Sequence, residues 1–523
     1  MAQRCCAQTH RFRPLCLSSP QPDPLLAHPH TMTPSSTTQS RRTSSGSWLL
    51  TAAITLAVLV RVLVPVAFPD LAETLASRPE VATPITQFQR LTEGVYLMRH
   101  GISPYDGNVV YQTPILLALF EALPSFLHRW IFVLCDIAIA AAIRQISQSK
   151  DEFDQILNAE LSAKPTSPSS DDEIPEDVVS ASTLAERKPS DGNGKDNDND
   201  SSNDNSNGDD RAESKLDRVL TELQTEKAIE ARSLDPWLIT LLYLASPFSI
   251  ASCIGMSLGV FDNLAIVLAV DFAIQGKRLP SMAFLAFATY LGMYPVILIF
   301  PCVLLISRRR NTGFWVTLLW AGLFYALSLA FLLGLSRSIA GSWSFINSTF
   351  GTILLVPDLT PNIGLWWYIF IEMFDQFRTF FLAVFQLWVV VFAVPISIRF
   401  KNSPLFVVLV LLAVVSTLKS YPSFVDLAVY LPLVGLYADL YKYMTWLFFS
   451  LSMLAYATIL LPLFFHLWIG FGAGNANFFY AITLVFSLAQ VILTMDLVSA
   501  MKLCEWERRH PRQRNSRLEV HDN

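Results

Sequence analysis

Residues 279–307, LPSMAFLAFATYLGMYPVILIFPCVLLIS, form an apolar run between two basic clusters, Lys277–Arg278 and Arg308-Arg309-Arg310. A membrane-spanning helix needs roughly 20 apolar residues, and the bases that flank it are retained on the cytosolic side. With both clusters on that side, the run has to cross an even number of times. It is too short for two full spans, and Gly292, Pro295 and Pro301 interrupt it. Proline removes a backbone donor and clashes with the preceding turn. The pattern predicts a broken, V-shaped pair of half-spans.

The rest of the chain agrees with a membrane setting. Of its 523 residues, 52% are hydrophobic, 12% aromatic and only 15% charged. Repeated apolar runs of spanning length have no economical place outside a bilayer. The net charge of −5 conceals two opposed populations. Residues 151–235 hold 23 acids and 9 bases, a balance of −14, against 20 acids and 29 bases elsewhere, +9. The positive remainder clusters at the ends of apolar segments, where orientation is set. The seven cysteines make no CxxC pair and read as unpaired packing or tail residues.

Residues 1–47 are rich in Ser, Thr, Pro and Arg and read as a disordered cytosolic tail, within which Met32 offers an alternative start. Residues 48–144 form a first membrane hairpin whose lumenal loop ends in GISPYDGNVVYQTP. The acidic, low-complexity segment 145–235 cannot bury enough apolar surface to offset chain entropy and is expected to be a disordered cytosolic insertion. A polytopic helical core follows at 236–502, then a cytosolic tail at 503–523. Alternating the spans gives about twelve crossings with both termini cytosolic. The fold class is therefore all-α, a polytopic membrane protein with broken or re-entrant segments. On that topology ISPYDG (102–107), PDLTPN (357–362), KSYPS (419–423) and GFGAGNANFF (470–479) share the lumenal side. So does the sequon Asn347-Ser348-Thr349, a glycosylation candidate.

Little in the sequence carries covalent chemistry. Asp70 and Glu73, just after the first span, could bind a metal or act as general base in a transferase acting on lipid-linked sugars, although loop acids are more often merely solvated. His466 lies in a late apolar run, where a packed histidine is the ordinary reading, and no Ser or Cys is set in a nucleophile arrangement beside it. No phosphate loop, dinucleotide fingerprint, zinc spacing or basic–aromatic nucleic-acid patch occurs. A transporter would be marked by ion pairs at mid-span, and none stands out.

Residues 355–377, LVPDLTPNIGLWWYIFIEMFDQF, place polar groups directly against the membrane. Thr360 before Pro361 reads as a helix N-cap with proline at the first helical position. Glu372, Asp375 and Arg378 follow at three-residue spacing, a possible acid–base ladder, and Trp366–Trp367 suit the bilayer boundary. The segment is either an interfacial anchor or a platform for a lipid headgroup, with Asp358 and Asn362 hydrogen-bonding to it.

Several blocks resemble the PIG-U family, a membrane subunit of the glycosylphosphatidylinositol (GPI) transamidase: EGVYLMRHGISPYDGNVVYQTP, YLASPFSIASC, ATYLGMYPVILIFP, VPDLTPNIGLWWYIFIEMFDQFR, LKSYPSFVDLAVYLP and HLWIGFGAGNANFFYAITL. They span roughly residues 88–500; the long 145–235 insertion departs from the family pattern. The resemblance implies a non-catalytic, GT-C-like subunit of an endoplasmic-reticulum complex that attaches GPI lipid to proteins. Its implied partners are the GPI lipid, the cysteine protease PIG-K, PIG-T, PIG-S and a metallopeptidase-like subunit, and it implies no cofactor. Carried over, the lipid-binding candidates are Asp358, Leu359, Thr360, Pro361 and Asn362, with Trp366, Glu372 and Asp375, and Asn475 and Asn477 as a second group. An active GT-C glycosyltransferase using a dolichol-linked sugar is the alternative.

Overall fold

The computed structural model describes residues 45–107, 109–162 and 233–509, and from Trp48 onward these pack as one helical unit. Most of the expected N-terminal tail, the bulk of the 145–235 insertion and the end of the C-terminal tail lie outside the described residues.

Helix α1 (Ser45–Ala67) is followed by three short helices, α2 (Pro69–Ser77), α3 (Phe88–Arg99) and α4 (Pro114–Ala122), and by the long α5 (Ser125–Ser162). α5 is helical through Ser162, so the first part of the 145–235 segment continues this helix. After it come α6 (Pro236–Leu244), α7 (Pro247–Ile254), α8 (Gly259–Ile274), α9 (Arg278–Gly292) and α10 (Ile299–Arg310). α11 (Phe314–Ala340) and α12 (Ser344–Leu355) lead to the segment that holds PDLTPN. α13 (Trp366–Glu372), α14 (Asp375–Val391), α15 (Ala393–Arg399), α16 (Pro404–Leu418), α17 (Phe424–Val434), α18 (Leu447–Phe465) and α19 (Ala476–Arg509) complete the chain. α19 continues past 503, where a tail was expected.

Local sequence explains many of the boundaries. Pro69, Pro114, Pro236, Pro247 and Pro404 each open a helix, at the one helical position where a missing N–H costs nothing. Asp235 accepts from Trp237 N at 2.9 Å at the start of α6. Asp496, reaching across from α19, accepts from Thr445 N and Trp446 N at 3.1 and 2.9 Å and closes the start of α18.

Among the described residues, seven helices are long and apolar enough to cross a membrane, and the bent pair α6–α7, turned by 48° at Ser246, makes an eighth candidate. This falls short of the expected twelve or so. The shortfall lies in helices too short to span alone: α8, α9, α10 and α16 have 16, 15, 12 and 15 residues. The break in 279–307 falls after Gly292, where Met293 takes a left-handed φ of 60° before a short 3₁₀ turn at Tyr294–Leu298. Both halves pack on α8, which is buried along most of its length.

Contacts gather the basic turns at one end. Arg310 Nε donates to Gly276 O at 2.5 Å, Arg309 pairs with Glu152 at 3.3 Å, Arg308 donates to Asn402 at 3.4 Å and Arg399 pairs with Glu505 at 2.9 Å. α16 and α19 run from that end to the opposite one, where KSYPS and GNAN lie.

One intramembrane ion pair, not expected from the sequence, pins this core. Arg61 of α1 is completely buried; its Nε donates to Asp136 of α5 at 2.7 Å. Its remaining N–H groups reach Ala57 O, Leu244 O and Ser249 Oγ at 2.7–2.8 Å, and Tyr243 Oη donates to the other Asp136 oxygen at 2.8 Å. A buried pair contributes little by itself, but removing one partner strands the other charge. With each guanidinium nitrogen bonded and both carboxylate oxygens engaged, the pair reads as a staple joining α1 to α5 and α6–α7.

Asp136→Ala is therefore expected to destabilise the fold by about 3–5 kcal/mol, seen as a drop in the thermal midpoint of the full chain in detergent. The apolar pair Arg61→Met/Asp136→Leu should recover most of that loss.

Candidate functional site

Past α12 the chain turns sharply. Val356, buried and β-branched, sits in the left-handed region (φ 47°, ψ 53°), a costly conformation that persists only when its surroundings enforce it. Here Val356 N donates to Thr352 O at 3.0 Å, and its carbonyl accepts from Arg378 Nη2 at 2.7 Å.

The strained residue delivers Asp358 to a polar pocket. One carboxylate oxygen of Asp358 accepts from Thr360 N (3.0 Å) and its hydroxyl; the other accepts from Arg90 Nη2 of α3 at 2.9 Å. Arg90 also donates to Gln87 Oε1 and Val109 O, both at 3.3 Å, and lies 4.9 Å from the Tyr111 ring centroid. Gln87, Gln89, Arg90, Glu93, Val109, Tyr111 and Asp358 enclose an open cavity of about 390 Å³. Burial, with the Asp358 charge behind it, pushes the Tyr111 phenol up against the opposing pull of Arg90. From behind, Tyr421 of KSYPS donates to the Asp358 carbonyl at 2.8 Å.

A second wall lies alongside. Tyr368 of α13 donates to Asn477 Oδ1, and Tyr480 donates to Leu365 O at 3.3 Å. The Tyr368 and Tyr480 rings stack at 4.4 Å, and Trp367 stacks on Trp468 at 6.2 Å with Phe479 beside both. Asn475 and Asn477 are both exposed. The buried indole N–H of Trp367 has no protein partner. The structure thus joins 355–377 to 470–480, more than a hundred residues apart in sequence.

Several expected roles change. Thr360 does not cap a helix: α13 starts only at Trp366, because Asn362 closes a local turn instead. Asn362 is 1% exposed, its Oδ1 accepting from Gly364 N at 2.8 Å and its Nδ2 donating to Thr360 O at 3.2 Å, so it supports the loop from within. Gly364 is pressed so closely on the next turn that a Cβ there would lie 2.6 Å from Pro422 Cδ. Leu359 packs into the small core around Tyr294, Val356 and Trp366. Trp366 and Trp367 are both buried within the protein; Trp366 Nε1 donates to Leu418 O at 2.9 Å. Pro361 is half-buried in the same loop.

The Glu372–Asp375–Arg378 ladder does not form either. The backbone is extended at Met373 and Phe374, which separates the two acids, and Arg378 turns to Val356 O and the Phe370 ring instead. Glu372 and Asp375 remain exposed.

Asp70 and Glu73 are exposed on α2, and among the described residues no cluster of three or more His, Cys, Asp or Glu side chains is placed to hold a metal. His466 is exposed, its ring edge-on to Phe471, and not the packed histidine expected. Asn347 is exposed on α12, with Ser348 and Thr349 buried beneath it. Arg90, Tyr111 and Tyr368 went unnoticed in the sequence. Arg90 is 268 residues from Asp358, and no periodic signal links the two; the one available cue was a basic residue on a short helix outside the long apolar runs.

A family model described as GPI transamidase subunit PIG-U matches residues 55–486. The chain is 31% identical over 468 residues to the GPI-anchor transamidase component PIGU of Cricetulus griseus, covering 88% of this chain and 95% of that one. It is 31% identical over 451 residues to the Homo sapiens protein of the same name, covering 84% and 91%. With GPI transamidase component GAB1 of Saccharomyces cerevisiae it shares 29% over 469 residues, covering 88% and 96%.

The loop geometry sets an expectation for Asn362. Asn362→Ala should destabilise the protein by about 1–3 kcal/mol through its two lost internal hydrogen bonds, read as a lowered thermal midpoint. Glu372→Ala, at an exposed position, should leave that midpoint unchanged.

Proposed function

The chain belongs to the PIG-U family of GPI transamidase subunits, and from that premise we propose that it holds and presents the GPI lipid while scaffolding the complex, with catalysis supplied by another subunit. On this reading it resides in the endoplasmic-reticulum membrane, beside PIG-K, PIG-T, PIG-S and the metallopeptidase-like subunit. Its short helices add to the long ones to make about twelve crossings on a GT-C-like plan.

The observation that carries the reading is the convergence, at the end opposite the basic turns, of the Arg90–Asp358 pocket and the Tyr368–Asn477 wall. Carboxylates, amides and a guanidinium set beside aromatic rings suit a polyol or phosphorylated headgroup, since each supplies hydrogen bonds or a stacking face. Exposed Asn475 and Asn477 have amide donors to offer, and the unpartnered Trp367 indole lies in the same aromatic cluster. Asn362 supports the loop from within, so Asp358, Arg90 and the two asparagines of the second wall are the contacting candidates.

The test is lipid co-purification. Asp358→Ala, and separately Arg90→Ala, should each reduce the GPI recovered by mass spectrometry from the assembled complex by about tenfold or more, the usual worth of a charge-assisted hydrogen bond. Unchanged recovery with both variants would refute the pocket as a headgroup site. The glycosyltransferase alternative rests on Asp70 and Glu73. The double variant Asp70→Ala/Glu73→Ala is expected to leave anchoring of a GPI reporter at the cell surface intact. Complete loss with the complex still assembled would favour the enzyme.

A further inference from the structure

At the basic end, the turns after α8 and α10 are fused into one cationic rim. Gly276 has a φ of 75°, and a Cβ there would lie 3.0 Å from Arg309 Cγ and 3.5 Å from Arg310 Cγ, so only glycine lets the two turns meet. Arg310 Nε fastens them through Gly276 O at 2.5 Å, and Arg278 Nη2 donates to Thr312 Oγ1 at 3.2 Å. Five bases, Lys277, Arg278, Arg308, Arg309 and Arg310, stand there, with Asp271 and Glu152 among the acids described beside them. Of these, Asp271 accepts from Gln275 at 2.8 Å, and Glu152, 68% exposed, pairs with Arg309 at 3.3 Å. An ion pair that open to water offsets little of the arginine's charge. Lys277, Arg309 and Arg310 are exposed, and the buried Arg278 Nε has no protein partner.

Directly inward from the rim, α9 and α11 leave an apolar groove of about 420 Å³, lined by Phe284, Phe287, Leu327, Phe331 and Leu332, with Ser328 alone polar. Phe284 and Phe287 are six and nine residues beyond Arg278 on the same helix. At 1.5 Å per residue they lie about 9 and 14 Å deeper in the membrane. Trp315 and Leu319, 74% and 75% exposed, continue the apolar border on α11. A cationic rim at headgroup level over a hydrocarbon groove matches the two halves of one molecule.

We propose that this site binds an anionic glycerophospholipid of the cytosolic leaflet, its headgroup on Lys277, Arg278, Arg309 and Arg310 and one acyl chain in the α9–α11 groove. Charge complementarity decides the occupant: a partner's apolar helix would fill the groove but leave the rim unanswered, whereas a phosphate with a second anionic group answers both. The site is at the opposite end from the proposed GPI contacts and does not depend on them.

The test uses the full chain in nanodiscs of equal parts phosphatidylcholine and phosphatidylserine, with the lipids retained after release counted by native mass spectrometry. Wild type should retain phosphatidylserine several-fold over phosphatidylcholine. The variant Lys277→Gln/Arg309→Gln/Arg310→Gln should lower that ratio by at least about fivefold, the worth of a single basic residue near an anionic surface. Arg309→Lys, which keeps the charge and leaves the Arg310–Gly276 fastening in place, should preserve the ratio and controls for folding. Ala283 also lines the groove, and Ala283→Trp, which plugs it, should reduce retained phosphatidylserine with the rim intact. Equal retention of the two lipids by wild type, as for a groove that faces protein, would overturn the proposal. So would a ratio unmoved by the glutamine variant or retention unmoved by Ala283→Trp.

Discussion

Hydrocarbon offers no hydrogen-bond partner to a backbone N–H or C=O, so each break in a helix at or within the bilayer has to be closed from inside the protein. This chain breaks its helices often, and side chains from distant elements close the gaps. Arg378 answers Val356 O, Tyr421 answers Asp358 O, Trp366 answers Leu418 O, Arg78 answers Pro462 O and Asp496 answers the two free N–H groups ahead of α18. Each closure joins segments far apart in sequence, so satisfying the backbone also builds the tertiary fold. The Arg61–Asp136 pair is the charged version of the same device, with a guanidinium spending its donors on a carboxylate, two carbonyls and a hydroxyl.

The two ends of the molecule follow from this constraint in different ways. At the basic end the breaks are short, glycine-containing turns whose arginines remain exposed. At the other end the breaks are long and polar, and closing them draws KSYPS under PDLTPN and sets α13 against the start of α19. A strained Val356 and an internally satisfied Asn362 hold Asp358 against Arg90. The loop is rigid for reasons unrelated to any ligand, which is what a preorganised binding surface requires.

The sequence marks Asp358 as a candidate for a lipid headgroup, and the fold already engages its carboxylate with Arg90 and with Thr360 N. Asn362 and Trp366 also serve the backbone, as short polar groups near a turn often do: Asn362 bonds Thr360 O and Gly364 N, and the Trp366 indole takes Leu418 O. The acid ladder failed for a related reason. Three-residue spacing pairs side chains only in a continuous helix, and the backbone is extended at Met373 and Phe374. Among the described residues seven or eight helices reach spanning length, and the other segments that entered the count of about twelve are short helices such as α8, which is buried along most of its length by neighbouring helices.

By itself the sequence determined the all-helical membrane character, the positions of the breaks, the basic end and the family. These depend on composition, periodicity and local backbone chemistry, which act over a few residues. Only the tertiary structure decided which polar groups are consumed by the fold and which remain open, and it alone brought Arg90 to Asp358, Tyr368 to Asn477 and the basic rim to the apolar groove. Those pairings depend on how helices pack across hundreds of residues, and no local pattern encodes which two distant side chains will meet.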